Sequence, residues 1–323
     1  MAYTAGDTIL DDEYNTFVNN SSSPFGYNHF AGTGSTVYGL GQTHISTVSA
    51  GGTVNAAQWN SLMTGIDNIA NHTNDSMTSR SAVSAGDTIA IKAAVAADLA
   101  TLAASVAGGS TGATALTTSS AKQTSSSSST WYGSHTVEHS VTFANANTMR
   151  WFFNAGGKIN VQKSRTGNGG TGGGATTKDS NWTNLYAALG TIAIGSLTST
   201  RSGSGETLTT NGLANGFHDL GTGYTTILKL TSDNSGYTSN TVEISAKLNA
   251  AVGSATIITI KCVFTDAADD TTFSSNNLSS VPTNPNEAPK MVLAIIEVHP
   301  TDAQGLAAAI QSASNAEVSN STS

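Results

Sequence analysis

The chain has one cysteine, Cys262, in 323 residues. One cysteine excludes an intramolecular disulfide and any cysteine-built zinc or iron–sulfur centre within a single copy. It stands in the apolar run Ile257–Phe264, which makes it a small buried hydrophobe rather than a nucleophile. Charge is also scarce. Asp, Glu, Lys and Arg are 11% of the residues, where a soluble domain averages about 25%. Thirteen Lys and Arg against 21 Asp and Glu leave a net charge of −8, too little basic charge to track a phosphate backbone, so nucleic-acid binding is not expected. No apolar stretch approaches the ~18 residues of a membrane span. The start, Met1-Ala-Tyr-Thr-Ala-Gly-Asp, lacks the basic and apolar regions of a secretory signal, so synthesis in a cytoplasm without export is expected.

What fills the space is neutral and polar: 33 Gly with abundant Ser, Thr and Asn, beside 38% hydrophobic residues, enough for a sizeable core. At roughly 150 residues per domain the length suggests about two domains. The chain also divides by texture. Residues 1–108 read as turn-helix repeats, 109–130 as a Ser/Gly/Thr-rich linker, 131–299 as a β-rich main domain, and 300–323 as a tail.

The repeat is explicit. Ala5-Gly6-Asp7-Thr8-Ile9, then Glu13-Tyr14-Asn15 and Phe17, returns as Ala50-Gly51-Gly52-Thr53-Val54, then Gln58-Trp59-Asn60 and Leu62. A third, degenerate copy, Val83-Ser84-Ala85-Gly86-Asp87-Thr88-Ile89, matches Val48–Val54, but its aromatic and Asn are lost. Each copy reads as a glycine turn, a short extended contact and a helix. The first helix is short, Asp11 to Val18. Asn55 and Gln58 have capping-box spacing, opening a second helix to about Asn71 with Trp59, Leu62, Met63, Ile66, Ile69 and Ala70 on one face. In the third copy Ile91, Val95, Leu99, Leu102 and Val106 form the stripe, closed by Gly108-Gly109. The loop Asn19–Gly41 holds Phe25, Tyr27, Phe30 and Tyr38. With Tyr14 these aromatics are the candidate assembly contacts; folding back onto the helical core is the alternative.

In the main domain, His135–Phe143, Lys158–Arg165, Ile192–Thr200, Tyr224–Thr231, Thr238–Leu248, Ala255–Thr265 and Lys290–His299 read as strands. Helices are expected at Asn145–Asn154, stopped by Gly156-Gly157, and from an Asp179 or Ser180 cap to Gly190. The fold class is therefore α+β and strand-dominated: a small helical repeat region, then an antiparallel β-sandwich-like domain with two short helices. The tail offers a short apolar helix, Leu306 to Ile310, and a polar end that frays or docks on a partner.

Chemistry is hard to nominate. Gly167-Asn-Gly169-Gly-Thr-Gly172 matches a dinucleotide fingerprint, but no helix starts at once behind it and no acidic ribose partner follows ~20 residues on. Lys178 lacks P-loop spacing. His135 and His139 share a strand face, with Glu138 pointing away, and read as a possible metal pair or as surface or inter-strand histidines. Asp266, Asp269 and Asp270 are loosely calcium-like but lack EF-hand spacing and read as a turn. There is no G-x-S-x-G, and no carboxylate pair stands out. No catalytic residue, cofactor or metal is assigned.

Three segments resemble a known group. Tyr3-Thr-Ala-Gly-Asp-Thr-Ile with Glu13-Tyr14-Asn15, Ala50-Gly51 with Gln58-Trp59-Asn60, and Met149-Arg-Trp-Phe-Phe-Asn-Ala-Gly-Gly157-Lys-Ile are similar to patterns in tail-fibre-like and other virion structural proteins of marine tailed bacteriophages, cyanophages especially. The resemblance implies a non-enzymatic virion component, placed in tail, baseplate or fibre. It would be made in the host cytoplasm, released by lysis, and partnered by copies of itself and other virion proteins. Capsid decoration or a head fibre is the alternative position. A host-glycan-binding module using Trp131, Tyr132 or Trp182 is the alternative class, and a polysaccharide depolymerase a third.

Overall fold

The computed structural model describes residues 11–22, 25–31, 42–73, 75–87, 92–107, 116–118, 123–126, 133–154, 156–166, 175–267, 290–300 and 314–322. The fold is α+β with a sandwich-like β domain. It separates into two compact units. The first comprises Met1–Thr117, Asn147–Gly157 and His299–Gln311; the second comprises Thr118–Ala146, Lys158–Val298 and Ser312–Ser323.

The first unit holds helices α1 (Asp11–Asn19), α2 (Tyr27–Ala31), α3 (Ala56–Thr73), α4 (Lys92–Ala107) and α5 (Ala146–Asn154). α1 contacts α2, α2 contacts α3, α3 contacts α4, and α4 returns to α1. The three- and four-residue apolar spacing is what closes this circuit. Trp59, Leu62, Met63, Ile66 and Ile69 of α3 are all buried, as are Val95, Leu99 and Leu102 of α4. Phe17 of α1 meets Trp59 edge-on at 6.5 Å. Asp11, Asp12 and Glu13 occupy the first turn of α1, where the helix dipole favours negative charge. Ile91 and Gly108-Gly109 lie outside the described residues.

The second unit carries two sheets and helix α6 (Ala175–Leu189). The strands are β1 (Leu116–Thr118), at the point in the chain where the first unit gives way to the second, then β2 (Gln123–Ser126), β3 (Gly133–Thr142), β4 (Lys158–Thr166), β5 (Ile192–Ile194), β6 (Ser199–Arg201), β7 (Thr207–Asn211), β8 (Thr225–Thr231), β9 (Thr241–Leu248), β10 (Ile257–Asp266), β11 (Lys290–Pro300) and β12 (Ser314–Thr322). One sheet runs β12-β3-β10-β9-β8-β7. The other runs β1-β11-β4-β5-β6, with β2 also on β11. The pairings with a resolved register are antiparallel, as expected where few helices cover crossovers. Burial alternates strictly along β10, so Ile258, Ile260, Cys262 and Phe264 face inward beside Val137 and Val141 of β3. Ile159 and Val161 of β4, Ile192 and Ile194 of β5 and Ser199 of β6 are among the buried residues of the second sheet. α6 contacts both β4 and β8, burying Trp182, Leu185, Tyr186 and Leu189. It ends at Gly190, whose φ of +57° and N–H bond to the Tyr186 carbonyl close the last turn.

Four sequence expectations differ from the structure. The 109–130 segment, read as linker, contains β1 and β2; Ser125 and Ser126 of the serine run pair with Leu293 and Val292 of β11. A strand needs only backbone donors and acceptors, so a run poor in apolar side chains still completes a ladder. The polar tail end does not fray: it is β12, paired with β3 from Ser314↔Thr142 to Thr322↔His135 with a register shift between Glu317 and Ser319. Its apolar stretch, Leu306 to Ile310, lies outside the described residues. Asp179 and Ser180 do not cap α6; they fall inside it, four and five residues after its start at Ala175. Ile192–Thr200 is a hairpin, β5 and β6, turned by Gly195 N–H on the Thr198 carbonyl.

Candidate functional site: amide clamps and a polar groove

The repeat folds the same way twice. Gly51 (φ +76°) and Gly86 (φ +93°) take the left-handed conformation a side chain resists. Gly52 N–H then bonds Ser49 O at 2.8 Å, and Asp87 N–H bonds Ser84 O at 3.1 Å. The capping box follows: Asn55 N–H reaches Gln58 Oε1 (3.0 Å) and Gln58 N–H reaches Asn55 Oδ1 (2.9 Å).

Ahead of each glycine turn runs an extended lead that belongs to no sheet. Its backbone groups still need partners, and asparagine side chains supply them. Asn15 of α1 donates to Val48 O (2.8 Å) and accepts from Val48 N–H (2.7 Å). Asn60 of α3 does the same to Val83, at 2.9 Å both ways. Asn28 of α2 holds Ile45 at 2.8 and 2.9 Å. A carboxamide offers one acceptor and a donor side by side, so it mimics the edge of a strand. Asn15 and Asn60 occupy the same repeat position, and each grips the Val that opens the next copy's Val-Ser-Ala-Gly. The third copy has Val95 there instead. The stretch before Val83 has further holders: Asp98 accepts from Thr78 N–H (3.3 Å) and Thr78 Oγ1 (3.1 Å), and the buried Arg80 pairs with Asp98 and, at 3.4 Å, with Asp67.

A groove of about 750 Å³ lies between Thr43–Ser46 of the second lead and the α3 face bearing Asn55, Ser61, Thr64 and Asn68. Tyr27 lines it beneath Gly65, where a Cβ would stand 2.5 Å from the tyrosine ring. The Tyr27 hydroxyl donates to Thr43 O (3.1 Å), and burial pushes its pKa up to about 12. Among the described residues no Asp, Glu, Lys or Arg lines the groove.

The aromatic assembly candidates are mostly core. Tyr14, Tyr27 and Phe30 are buried, at 0%, 2% and 0% exposure, so they hold the helices together rather than face a neighbour. A polar, glycine-rich loop concealed this, because its aromatics fold back through the five-residue α2. Phe25 is half-buried and stacks on His29 at 3.9 Å. Tyr38 lies outside the described residues. The asparagine clamps were visible only as part of the repeat match, with nothing in the sequence to say what they held.

In the second unit, His135 and His139 do share a face, but it is the buried one. Four residues along a strand span about 13 Å, too far for one ion to join both rings. His135 Nε2 instead lies 2.8 Å from Asn320 Oδ1 of β12. The ring of His135 stacks on Phe264, and Phe264 on Tyr186. Among the described residues no three His, Cys, Asp or Glu gather as a metal group. Asp266 is buried, while Asp269, Asp270 and the Gly167–Gly174 loop lie outside the described residues. Cys262 is fully buried and burial pushes its thiol up, which makes it inert. Trp182 is fully buried, so it offers no platform to a glycan; Trp131 and Tyr132 lie outside the described residues. No helix among the described residues is long and apolar enough to cross a membrane.

Comparison with protein-family models, curated proteins and solved structures gives no match.

Proposed function

We propose that the chain is a non-enzymatic structural protein of a tailed-phage virion, associated with tail, baseplate or fibre, that assembles as a symmetric homo-oligomer. The observation that carries this reading is the clamp repeat. Asn15 and Asn60 join successive modules by the same neutral, two-bond contact between a helix and an extended lead. Such a contact costs little desolvation of charge and needs no particular side chain on the lead beyond its backbone, so it suits modules that repeat. The resemblance of the Tyr3–Asn15, Ala50–Asn60 and Met149–Ile159 segments to phage structural proteins points the same way. So does a surface chemistry of Ser, Thr, Asn and Gly, with only 11% charged residues.

In this reading the first unit anchors to the particle and the β unit projects or packs laterally. Light scattering of the purified full-length chain, followed by electron microscopy of the peak, tests it. A closed oligomer or a filament, or a monomer that joins purified particles lacking it, is the expected result. A monomer that does neither overturns the proposal.

A further inference from the structure

We propose that the polar groove of the first unit receives the first repeat's lead, Tyr3-Thr4-Ala5-Gly6, from a second copy of this chain, with Asn68 as its grip. This deepens the homo-oligomer reading above by naming the contact that joins copies.

Three observations converge on it. The chain carries three leads of one pattern, Tyr3-Thr4-Ala5-Gly6, Val48-Ser49-Ala50-Gly51 and Val83-Ser84-Ala85-Gly86, but two repeat asparagines, Asn15 and Asn60. Those two hold the second and third leads. The groove supplies what a further lead needs. Asn68 projects into it from α3 and makes no hydrogen bond among the described residues, unlike Asn15, Asn28 and Asn60, each of which grips an extended residue through both amide atoms. On the opposite wall, Ile45 turns both of its peptide groups to Asn28. In extended chain the residues on either side point the other way. His44 and Ser46 both line the groove, and among the described residues neither makes a hydrogen bond. An entering strand therefore meets backbone donors and acceptors on one side and an amide on the other, the hydrogen-bonding arrangement of strand addition.

Charge selects the occupant. Copies with a net charge of −8 repel each other, and this groove, with no Asp, Glu, Lys or Arg among the described residues of its lining, is a place where an uncharged segment seats without opposing fields. Tyr3-Thr4-Ala5-Gly6 is uncharged. The contact is heterologous, lead of one copy into groove of the next, so it closes into a ring or runs on as a filament.

Cysteine scanning tests it cleanly, because the single native thiol, Cys262, is buried. Full-length Thr4→Cys and full-length Thr64→Cys, the latter carrying a size tag, are mixed and oxidised. Thr64 is exposed on the groove wall, so its substitution spares the core. The expected result is a disulfide-linked heterodimer, reduced at least fivefold when Asn68→Ala is added to the tagged copy. A second arm uses the Thr4→Cys/Thr64→Cys double variant. Linked multimers support the proposal; a link confined within one chain shows that the lead seats in its own groove and overturns it. So does the absence of any link in the mixture, or a heterodimer yield indifferent to Asn68→Ala. These outcomes leave the virion reading standing, and a chain absent from virions leaves them unaffected.

Discussion

A half-buried asparagine that bonds one backbone residue through both amide atoms is costly to remove, because among the described residues those two backbone groups make no other hydrogen bond. Asn60→Ala leaves the Val83 N–H and C=O without the amide that holds them. The expected loss is about 1–3 kcal/mol, read as a fall in the urea midpoint at unchanged slope. Asn60→Asp restores the acceptor alone and recovers part of it at most. The Arg80 cluster is stricter. Arg80→Ala strands Asp98, whose side chain is only 8% exposed, and costs about 3–5 kcal/mol, whereas the Arg80→Met/Asp98→Leu pair recovers most of that. A pair no less destabilised than Arg80→Ala alone would show that the cluster's worth is not the removal of an uncompensated charge.

His135 and His139 give the residue scale its pH dependence. Burial lowers both pKa values; the Asn320 hydrogen bond partly opposes this at His135, and Glu317 does so at His139. The folded chain thus takes up these protons at lower pH than the unfolded chain, whose histidines titrate near 6.5. Their contribution is complete above that value and is lost as pH falls below it. The melting temperature should drop between pH 7.5 and pH 5, and the drop should shrink in the His135→Gln/His139→Gln double variant. An equal drop in both proteins would assign the acid sensitivity elsewhere.

At the scale of elements, α3 is where repeat, core and groove meet. Its apolar face packs the helical unit, its first turn carries the capping box, and its outer face walls the groove. Gly65→Ala puts a methyl group 2.5 Å from the buried Tyr27 ring, so the ring must shift. An expected cost of about 1–3 kcal/mol is the usual penalty for overfilling a packed site, and Tyr27→Leu in the same chain should return part of it. How far such elements were legible depended on what each needs. α3 and α4 announce themselves by the spacing of Trp59, Leu62, Ile66 and of Val95, Leu99, Leu102, because a helix buries a stripe and the stripe is written in the sequence. β10 does so by strict alternation. β2 and β12 do not, because an edge strand of Ser, Thr and Asn is held by backbone pairing, which composition does not record. The same reason hid α2: its helix is one turn long, and Tyr27 and Phe30 are buried by packing that no period announces. The groove was illegible for a further reason. It joins Thr43–Ser46 to a helix face 9 to 25 residues away, and the folded turn at Gly51-Gly52 brings them together.

At the scale of the whole molecule, the repeat modules are joined by neutral hydrogen bonds and packed helices, with the Arg80 cluster as a charged addition. Assembly should then tolerate salt: raising the concentration from 0.1 to 1 M shortens the screening length from about 10 to about 3 Å and weakens ion-pair interfaces, but it spares uncharged clamps and eases repulsion among copies of net charge −8. Light scattering across that range should show an oligomer that is unchanged or larger; dissociation at high salt would point to an ionic interface instead. The claim on which the rest stands is that this chain is part of a virion. Quantitative mass spectrometry of gradient-purified particles measures it directly. The account predicts the chain at a fixed copy number per particle, set by the symmetry of the tail, baseplate or fibre. Particles that are infectious and complete yet contain none of it would contradict the account.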